Sequence, residues 1–354
     1  MARPTSIQID LAALKHNASQ LKRIAAPRRF FAVVKADAYG HGAVECSRAL
    51  EAIVDGLVVA ILEEAVMLRE AGIEAKIIVL QGPHSREDLA EFSRLDLWPV
   101  FTDHRQLAWL DNMPVTPIRR AWLKVDTGMH RLGFNPSDVV AAELQLRKAS
   151  IADVALMSHF AESEVAGSAL TTKQLANWQS LALGASASFA NSSALLQIMS
   201  VDDDIARIGY ALYGGMLADP VAEIDLKPVM LFRSQITSTR WIEVGETVGY
   251  NGRWQATRRS RIATIPVGYG DGYPRSASDG TPVGTDLGEV PLAGKVSMDT
   301  ITVDITDAAE LTVGDGVTLW GDDPNIDRVA SHSETIGYEL CTRLPNRVPR
   351  GFSG

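Results

Sequence analysis

Short apolar runs alternate with helix-like segments through the N-terminal part of this chain. Between the runs, apolar residues recur at helical spacing, as over 63–71, 86–93 and 171–183. The runs themselves lie at 30–34, 57–62, 77–80, 97–101, 121–125, 154–157, 186–190 and 205–208. Eight strand–helix units in about 200 residues are typical of an α/β protein with a (β/α)8 TIM-type barrel. A doubly wound open sheet shares most of this pattern, but no glycine-rich dinucleotide turn follows the first run.

The pattern changes after residue 226, where apolar and polar residues begin to alternate. The alternating stretches are 229–242, 261–267 and 290–305. They predict a mostly antiparallel β domain, closed by one amphipathic helix over 326–344. We therefore expect two domains, 1–226 and 227–354, and leave open whether the first residues pair with the β domain.

The composition argues against several classes of protein. Lys and Arg total 34 against 43 for Asp and Glu, giving a net charge of -9, so neither nucleic acid nor an anionic membrane is an expected partner. Cys46 and Cys341 have no metal-ligand spacing and predict neither a metal site nor a disulfide framework. The first residues lack the apolar core of a secretory signal, and the run 57–62 is too short to span a bilayer. We expect a soluble, cytoplasmic protein.

Polar residues gather where the apolar runs end. In a barrel of this kind, the carboxyl ends of the strands and the loops after them form the active site. The sequence has KADAYGHG after the first run, LKVDTGMHRLGF around the fifth, SHFAESE after the sixth, ANSSA after the seventh and ARIGYALYGG at the eighth. This convergence predicts one functional site at that end of the barrel.

Lys35 directly follows the first apolar run. Burial of a lysine favours the neutral amine, which is the form that reacts with an aldehyde cofactor to give a Schiff base. The alternative is a lysine whose stem only lies along apolar surface at a strand end, and position alone favours it. Lys35 is therefore a candidate cofactor anchor whose role depends on its neighbours.

The later strand ends supply groups that suit an anion. Ser192 and the backbone near Gly209 provide the hydroxyl and N–H donors that cradle phosphate at the mouth of a barrel, although taken alone ANSSA is better explained as an ordinary turn. Arg131 and Arg207 either hold anions or pair with carboxylates. His159 is as often a packed core histidine as a participant in chemistry.

The β domain has tyrosines beside glycines: Tyr250 in VGYNGRW, and Tyr269 and Tyr273 in PVGYGDGYPR. A phenol with a pKa near 10 is a poor base at neutral pH, but nearby positive charge brings it into service. For Tyr273 we favour the interpretation that it fills a turn. Met298, in GKVSMDT, is expected by default in the core.

The chain resembles the bacterial alanine racemases in many short motifs. These are AVVKADAYGHG, LKVDTGMHRLGF, SHFAES, ANSSA, ARIGYALYGG, PVGYGDGYPR, GKVSMD and TRLPNRVPR, in the family's order and over nearly the whole length. The resemblance implies a barrel that binds pyridoxal 5'-phosphate, followed by a β domain, in a homodimer that interconverts L- and D-alanine.

The resemblance also implies roles for the reacting groups. Lys35 forms the internal aldimine and acts as one base, while Tyr250, from the second subunit, acts as the opposite base. Two bases on opposite faces explain racemisation, because one removes the Cα proton and the other returns it. His159 and Arg207 match the residues that tune the tyrosine. Arg207 also matches the arginine that faces the pyridine nitrogen and keeps it unprotonated.

The same motifs imply the binding residues. The phosphate-binding set corresponds to Tyr39, Ser192, Gly209, Tyr210 and Tyr338. Arg131 resembles the arginine that contacts the phenolic oxygen of the cofactor and the substrate carboxylate. Tyr269 and Met298 resemble residues that the partner subunit contributes to the substrate pocket and its entrance. Lys124 matches a lysine that is carbamylated in some members.

The chain departs from the family pattern at a few positions. His130 stands where glycine is usual, and Ile208 and Tyr210 replace the commoner Pro and Ile. The nearest alternative is a broad-specificity racemase of small amino acids, because one small group changes discrimination by only about 1–3 kcal/mol. Two others are a barrel-type amino-acid decarboxylase, against which Arg207 and the place of Cys341 argue, and a non-catalytic pyridoxal-phosphate carrier, against which the β domain argues.

Overall fold

The computed structural model describes residues 3–111, 118–181, 186–197, 199 and 201–354. The chain divides into two compact units. An α/β unit contains Leu14–Leu212 and Met216–Leu226, and a β unit contains Met1–Ala13, Tyr213–Gly215 and Lys227–Gly354. The N-terminal residues are thus grouped with the C-terminal part of the chain.

Eight parallel strands form the sheet of the α/β unit. In chain order the first nine strands are β1 (Ser6–Asp10), β2 (Arg29–Val33), β3 (Gly56–Val59), β4 (Ile77–Val79), β5 (Leu97–Phe101), β6 (Arg120–Lys124), β7 (Asp153–Met157), β8 (Ala187–Ser188) and β9 (Ile205–Ile208). All except β1 pair side by side, in the order β8-β7-β6-β5-β4-β3-β2-β9. This nearly closed parallel sheet confirms the predicted barrel.

Helices alternate with these strands. They are α1 (Leu11–Ala25), α2 (Lys35–Gly40), α3 (Ala43–Leu50), α4 (Leu62–Glu70), α5 (Asp88–Arg94), α6 (His104–Ala108), α7 (Val139–Lys148), α8 (Ala169–Gln179) and α9 (Ser192–Leu196). The carboxylate of Asp10 caps α1 by accepting hydrogen bonds from the N–H groups of Ala12 and Ala13. The predicted segments 63–71, 86–93 and 171–183 correspond to α4, α5 and α8; residues 182 and 183 lie outside the described residues.

Apolar strand residues are buried on both faces of the barrel sheet. Phe31, Val58, Ile78 and Val100 are completely buried, as is Trp122. This is expected of parallel strands whose outer face is covered by helices. Each large apolar side chain removed from water stabilises the fold by about 1.5–3 kcal/mol. The barrel is therefore a rigid support for the residues that follow its strands.

The β unit is built mostly from antiparallel strands, as predicted. They are β10 (Met230–Gln235), β11 (Ser238–Ile242), β12 (Thr247–Val248), β13 (Trp254–Gln255), β14 (Ser260–Ile265), β15 (Pro282–Thr285), β16 (Gly288–Pro291), β17 (Ile301–Asp304), β18 (Gly316–Trp320) and β19 (Arg350–Ser353). The largest sheet has the order β16-β15-β18-β10-β1-β19. In it, β1 pairs antiparallel with β10 and parallel with β19.

The single helix predicted over 326–344 is wrong. The segment contains two short helices, α10 (Ile326–Ser331) and α11 (Gly337–Thr342). Between them Glu334 has a left-handed backbone with φ 54°, and Thr335 N–H donates a hydrogen bond to the Ala330 carbonyl. This C-terminal capping bond ends the first helix although the apolar periodicity continues.

Candidate active site

The predicted residues of the α/β unit lie at the carboxyl ends of its strands. Lys35 follows β2, Lys124 ends β6, and His159 follows β7. Ser192 begins the helix after β8, and Arg207 is the second-last residue of β9. Because the carboxyl ends of parallel strands lie at the same end of a barrel, that end carries all these groups.

A left-handed turn follows Lys35. Residues Ala36 to Tyr39 have φ between 51° and 54°, which L-amino acids adopt at a cost of about 1–2 kcal/mol per residue. The Ala36 N–H donates to Glu64 Oε1 at 2.6 Å, and the Ala43 N–H donates to Asp37 Oδ1 at 2.7 Å. These carboxylates hold the strained backbone that directly follows the lysine. Backbone strain of this kind is typical of functional sites.

The Lys35 amine lies near two arginines. Burial lowers the pKa of Lys35, and the charges of Arg131 and Arg207 lower it further, while Glu64 opposes the shift. A larger fraction of the amine is therefore neutral at a given pH than in a free lysine. This is the electrostatic condition that Schiff-base chemistry requires.

Two further basic groups lie in the same cluster. Burial lowers the pKa of Lys124 well below its usual range, and the charges of Arg207 and Arg131 act in the same direction. Burial likewise lowers the pKa of His159 well below its usual range, followed by the effect of Lys124 and the arginines. His159 is therefore neutral near pH 7, and the cluster as a whole is suited to an anionic ligand.

Arg207 is fixed by hydrogen bonds from both of its terminal nitrogens. Its side chain is buried, Nη2 donates to the Ser158 carbonyl at 2.7 Å, and Nη1 donates to Ser188 Oγ. Ser188 Oγ in turn donates to the Ile205 carbonyl at 2.7 Å. Burial lowers the pKa of Arg207 to about 10, so the guanidinium stays charged at neutral pH.

The sequence did not single out the two serines that hold Arg207. A signal for one of them exists, because Ser186 and Ser188 alternate with Ala187 and Phe189. That alternation places polar side chains on one face of an otherwise apolar strand. The Ser158 contact uses a backbone carbonyl, and side-chain identity carries no trace of it.

A tight cradle lies near the start of α9. Ser192 Oγ accepts a hydrogen bond from Gly209 N–H at 3.1 Å. A Cβ atom at Gly209 would lie 2.5 Å from the Tyr39 hydroxyl oxygen, so any side chain there would have to displace the Tyr39 ring. Asn191, not a serine, caps the helix, since its Oδ1 accepts from Ala194 N–H at 2.9 Å. Tyr210, the last predicted member of this group in the α/β unit, is buried.

The remaining predicted residues belong to the β unit. Tyr250 is 64% exposed and begins a short 3₁₀ turn, Tyr250–Gly252. Tyr338 lies in α11 and is partly buried. Met298 is 53% exposed, so its expected place in the core is wrong. Tyr273 is buried and stacks on Trp320, as its interpretation as a packing residue requires.

Two loops of the β unit are hydrogen-bonded to each other. Tyr269 N–H donates to the Ser297 carbonyl at 3.0 Å, and Gly270 N–H donates to the Met298 carbonyl at 2.8 Å. The buried Asp271 carboxylate pairs with Arg3 at 2.7 Å and Arg347 at 2.9 Å. Tyr269 and Met298 are therefore held as one unit. Beside Tyr269 lies a cavity of about 510 Å³.

Other site classes find no support in the part of the chain that the structure describes. It contains no group of three or more His, Cys, Asp or Glu side chains that could hold a metal ion. Among the same residues, no helix has the length and apolar character needed to cross a membrane.

Comparison with known proteins identifies the family. Residues 9–216 match the alanine racemase N-terminal domain, and residues 229–352 match the alanine racemase C-terminal domain. The chain belongs to the alanine racemase family. A protein of Chromohalobacter salexigens named alanine racemase is 46% identical over 99% of this chain and 98% of its own length.

Solved structures of the alanine racemase family have the same fold. The biosynthetic alanine racemase from Pseudomonas aeruginosa superposes with a TM-score of 0.94 at 41% identity, covering 100% of both chains. The alanine racemase from Bartonella henselae, solved with covalently bound pyridoxal phosphate, superposes with a TM-score of 0.88 at 31% identity. That alignment covers 99% of this chain and 100% of the other.

Proposed function

We propose that this chain interconverts L- and D-alanine with pyridoxal 5'-phosphate as its cofactor. The observation that carries the proposal is the Lys35 amine, of lowered pKa, beside Arg131 and Arg207 at the end of a barrel of the alanine racemase family. Relatives named alanine racemase match nearly the full chain, which supports the same reaction here.

The residues of the α/β unit fit this cofactor. An aldehyde with a phosphate group needs a neutral amine and anion-binding donors, and both are present within the unit. Lys35 offers the amine, while Ser192 and the Gly209 backbone form a cradle that a single Cβ would fill. We assign Tyr39 and Tyr210 to the same phosphate-binding group, together with Tyr338 of the β unit.

The bound cofactor supplies an electron sink that acidifies the Cα proton of the amino acid. Lys35 holds the cofactor and exchanges a proton with Cα on one face. Tyr250 of a partner subunit exchanges a proton on the other face. Arg207, which stays cationic, would hold the cofactor at its ring nitrogen and keep that nitrogen unprotonated, and Arg131 would bind the substrate carboxylate. His159, neutral near pH 7, accepts or donates a hydrogen bond in the network that tunes Tyr250.

The exposure of the β-unit residues supports a homodimer with shared sites. Tyr250, Tyr269 and Met298 all have exposed side chains, so they are accessible to a partner subunit. We infer that Tyr269 and Met298 of one subunit narrow the substrate pocket of the other, which favours alanine. The free thiols Cys46 and Cys341 agree with a cytoplasmic location.

The direct test is formation of D-alanine from L-alanine by the purified protein with added cofactor. We expect turnover, a visible absorbance of the bound cofactor, and loss of both in Lys35→Ala. A screen of several L-amino acids under the same conditions tests the substrate. Full turnover by Lys35→Ala contradicts the proposed chemistry, and serine turned over as fast as alanine contradicts only the specificity.

A further inference from the structure

The barrel sheet has a seam between its two end strands. The ladders of the described residues run from β8 through β2 to β9, and no ladder joins β8 to β9. Two backbone hydrogen bonds cross the gap: Asp204 N–H donates to the Ala187 carbonyl at 2.9 Å, and Arg207 N–H donates to the Ala190 carbonyl at 3.0 Å. Other groups must satisfy the remaining backbone donors along this seam.

A buried carboxylate supplies the missing acceptors. Asp203 Oδ2 accepts hydrogen bonds from the N–H groups of Phe189 at 2.9 Å and Ala190 at 2.8 Å. Asp203 Oδ1 lies 2.9 Å from Arg28 Nε, and the Asp203 side chain is completely buried. Asp203 therefore ties β8, β9 and the residue before β2 together at one point.

Residues 188–190 contact both Asp203 and Arg207. Ser188, which accepts from the Arg207 guanidinium, directly precedes Phe189. Ala190, which donates to Asp203, accepts from the Arg207 backbone. The charge of Asp203 also opposes the effect of burial on the pKa of Arg207. A displacement of this segment would move both the guanidinium partner and the strand that carries the arginine.

We propose that Asp203 is a positioning residue for Arg207, whose buried carboxylate closes the β8–β9 seam and fixes the guanidinium in its catalytic orientation. The proposal rests on the role proposed above for Arg207. It separates Asp203 from its neighbour Asp204, which accepts from Ala187 N–H at 3.0 Å at the same seam but is exposed.

The test compares variants at these two carboxylates. Asp203→Asn keeps an oxygen acceptor and removes the charge, and Arg28→Gln keeps the carboxylate with its backbone hydrogen bonds and removes the ion pair. We expect Asp203→Asn to lower kcat about tenfold with KM within twofold, which corresponds to about 1.4 kcal/mol of transition-state stabilisation. It should also shift the absorbance of the bound cofactor in the direction that Arg207→Lys shifts it. Arg28→Gln should give a smaller shift of the same kind, and Asp204→Asn should match the parent protein.

A double-mutant cycle decides whether Asp203 acts through Arg207. If it does, Asp203→Asn causes little further loss of kcat in the Arg207→Lys background. Additive losses, or an Asp203→Asn variant with parent kcat and cofactor absorbance, overturn the inference while Arg207 keeps its role. If Arg207→Lys itself leaves kcat and absorbance unchanged, the proposed role of Arg207 fails and the inference fails with it. Should Asp203→Asn not fold, the same cycle with Arg28→Gln gives the decision.

Discussion

The two units of this chain present their candidate site residues in opposite ways. In the α/β unit, Tyr39 and Arg207 are buried, and the arginine is held by two oxygens from neighbouring strands. In the β unit, Tyr250 and Met298 are mostly exposed. One set is packed and hydrogen-bonded within its own unit, whereas the other is exposed.

The difference indicates that the two units have different functions. Cations gathered around an amine are costly to bury without an anion, so the α/β unit gains stability when a phosphate and a carboxylate bind there. Binding and charge placement need rigid supports, and the barrel strands supply them. A second proton donor, on the opposite face of the substrate Cα, needs only to be correctly positioned. In the proposed homodimer, the exposed Tyr250 of a second subunit would meet that need.

Mixing two inactive variants is expected to give the largest effect. Lys35→Ala and Tyr250→Phe should each lose at least about 10³-fold in kcat, because each removes one of two proton-transfer groups. If each site combines Lys35 of one subunit with Tyr250 of the other, dissociating and reassociating the mixture should restore about a quarter of the parent activity, since half of the dimers hold one intact site. Racemisation before and after mixing is the measurement.

The control for the mixing experiment is the double variant Lys35→Ala/Tyr250→Phe combined with either single variant, which should restore nothing. No recovery in the first mixture, with dimer exchange shown by sedimentation, would mean that both bases come from one chain.

The phosphate cradle should be the next most sensitive feature. Gly209→Ala places a Cβ 2.5 Å from the Tyr39 hydroxyl, and we expect cofactor affinity to fall about 10- to 100-fold, or about 1.4–2.7 kcal/mol. Gly316→Ala is a matched control in the β unit, because a Cβ there meets no atom within 4 Å. Equilibrium titration with pyridoxal 5'-phosphate, followed by absorbance, measures both.

Relief of the clash gives a second check on that cradle. Tyr39→Phe removes the hydroxyl oxygen that the new Cβ meets, but also the phenol assigned to phosphate binding, so it serves as the reference background. Relative to Tyr39→Phe alone, Gly209→Ala should cost less cofactor affinity than it costs in the parent protein. A loss that is equal in both backgrounds, or absent from both, would contradict the predicted clash.

The barrel could be predicted from sequence because strand and helix periods differ and their alternation is local information. Lys35 could be proposed because it directly follows the apolar run of its strand. The helix break at Glu334 could not be predicted from the sequence. The apolar spacing continues through this residue, whereas its backbone is left-handed, with φ 54°. Hydrophobicity also failed for Met298, since an exposed apolar side chain and a core side chain look alike in sequence.

The contacts of Arg207 were unpredictable for a different reason. Ser158 acts through its carbonyl, and Ser188 is one small polar residue in an apolar strand. Asp203 is 14 residues beyond Phe189, and only the closure of the sheet brings its carboxylate to that N–H. Such contacts depend on the register across the seam, which a pattern along one strand does not contain.

Substitution of Lys124 tests the α/β unit through its thermal stability, and the expected effect is smaller. Its folded pKa is lowered by burial, so the unfolded state binds more protons below the unfolded pKa of about 10.4 and stability rises with pH toward that value. In carbonate-free buffer, Lys124→Met should therefore raise Tm by about 2–4 °C at pH 7, with a smaller gain near pH 10. Thermal unfolding at several pH values is the measurement, and Lys173→Met on the exposed side of α8 is the control.

Bicarbonate sharpens this test. A carbamate on Lys124 would put an anion in place of the buried amine beside Arg131 and Arg207, so added bicarbonate should raise the Tm of the parent protein and not that of Lys124→Met. Intact-mass measurement under mild conditions detects the added group. A gain in Tm that is equal in both proteins would exclude Lys124 as the responsive residue.

The smallest expected effect is on substrate choice in the β unit. If the exposed Met298 narrows the pocket of a partner subunit, Met298→Ala should admit one more small group, raising the ratio of kcat/KM for serine over alanine by up to about tenfold. Leu287→Ala removes another exposed apolar side chain from the same unit and should leave the ratio unchanged. Because the Met298 carbonyl accepts the hydrogen bond from Gly270 of the Tyr269 loop, and its side chain is exposed, truncation of the side chain should leave Tm within about 1 °C. An unchanged ratio would mean that Met298 covers the subunit interface without reaching the substrate, and the preference for alanine would then have to come from the α/β unit.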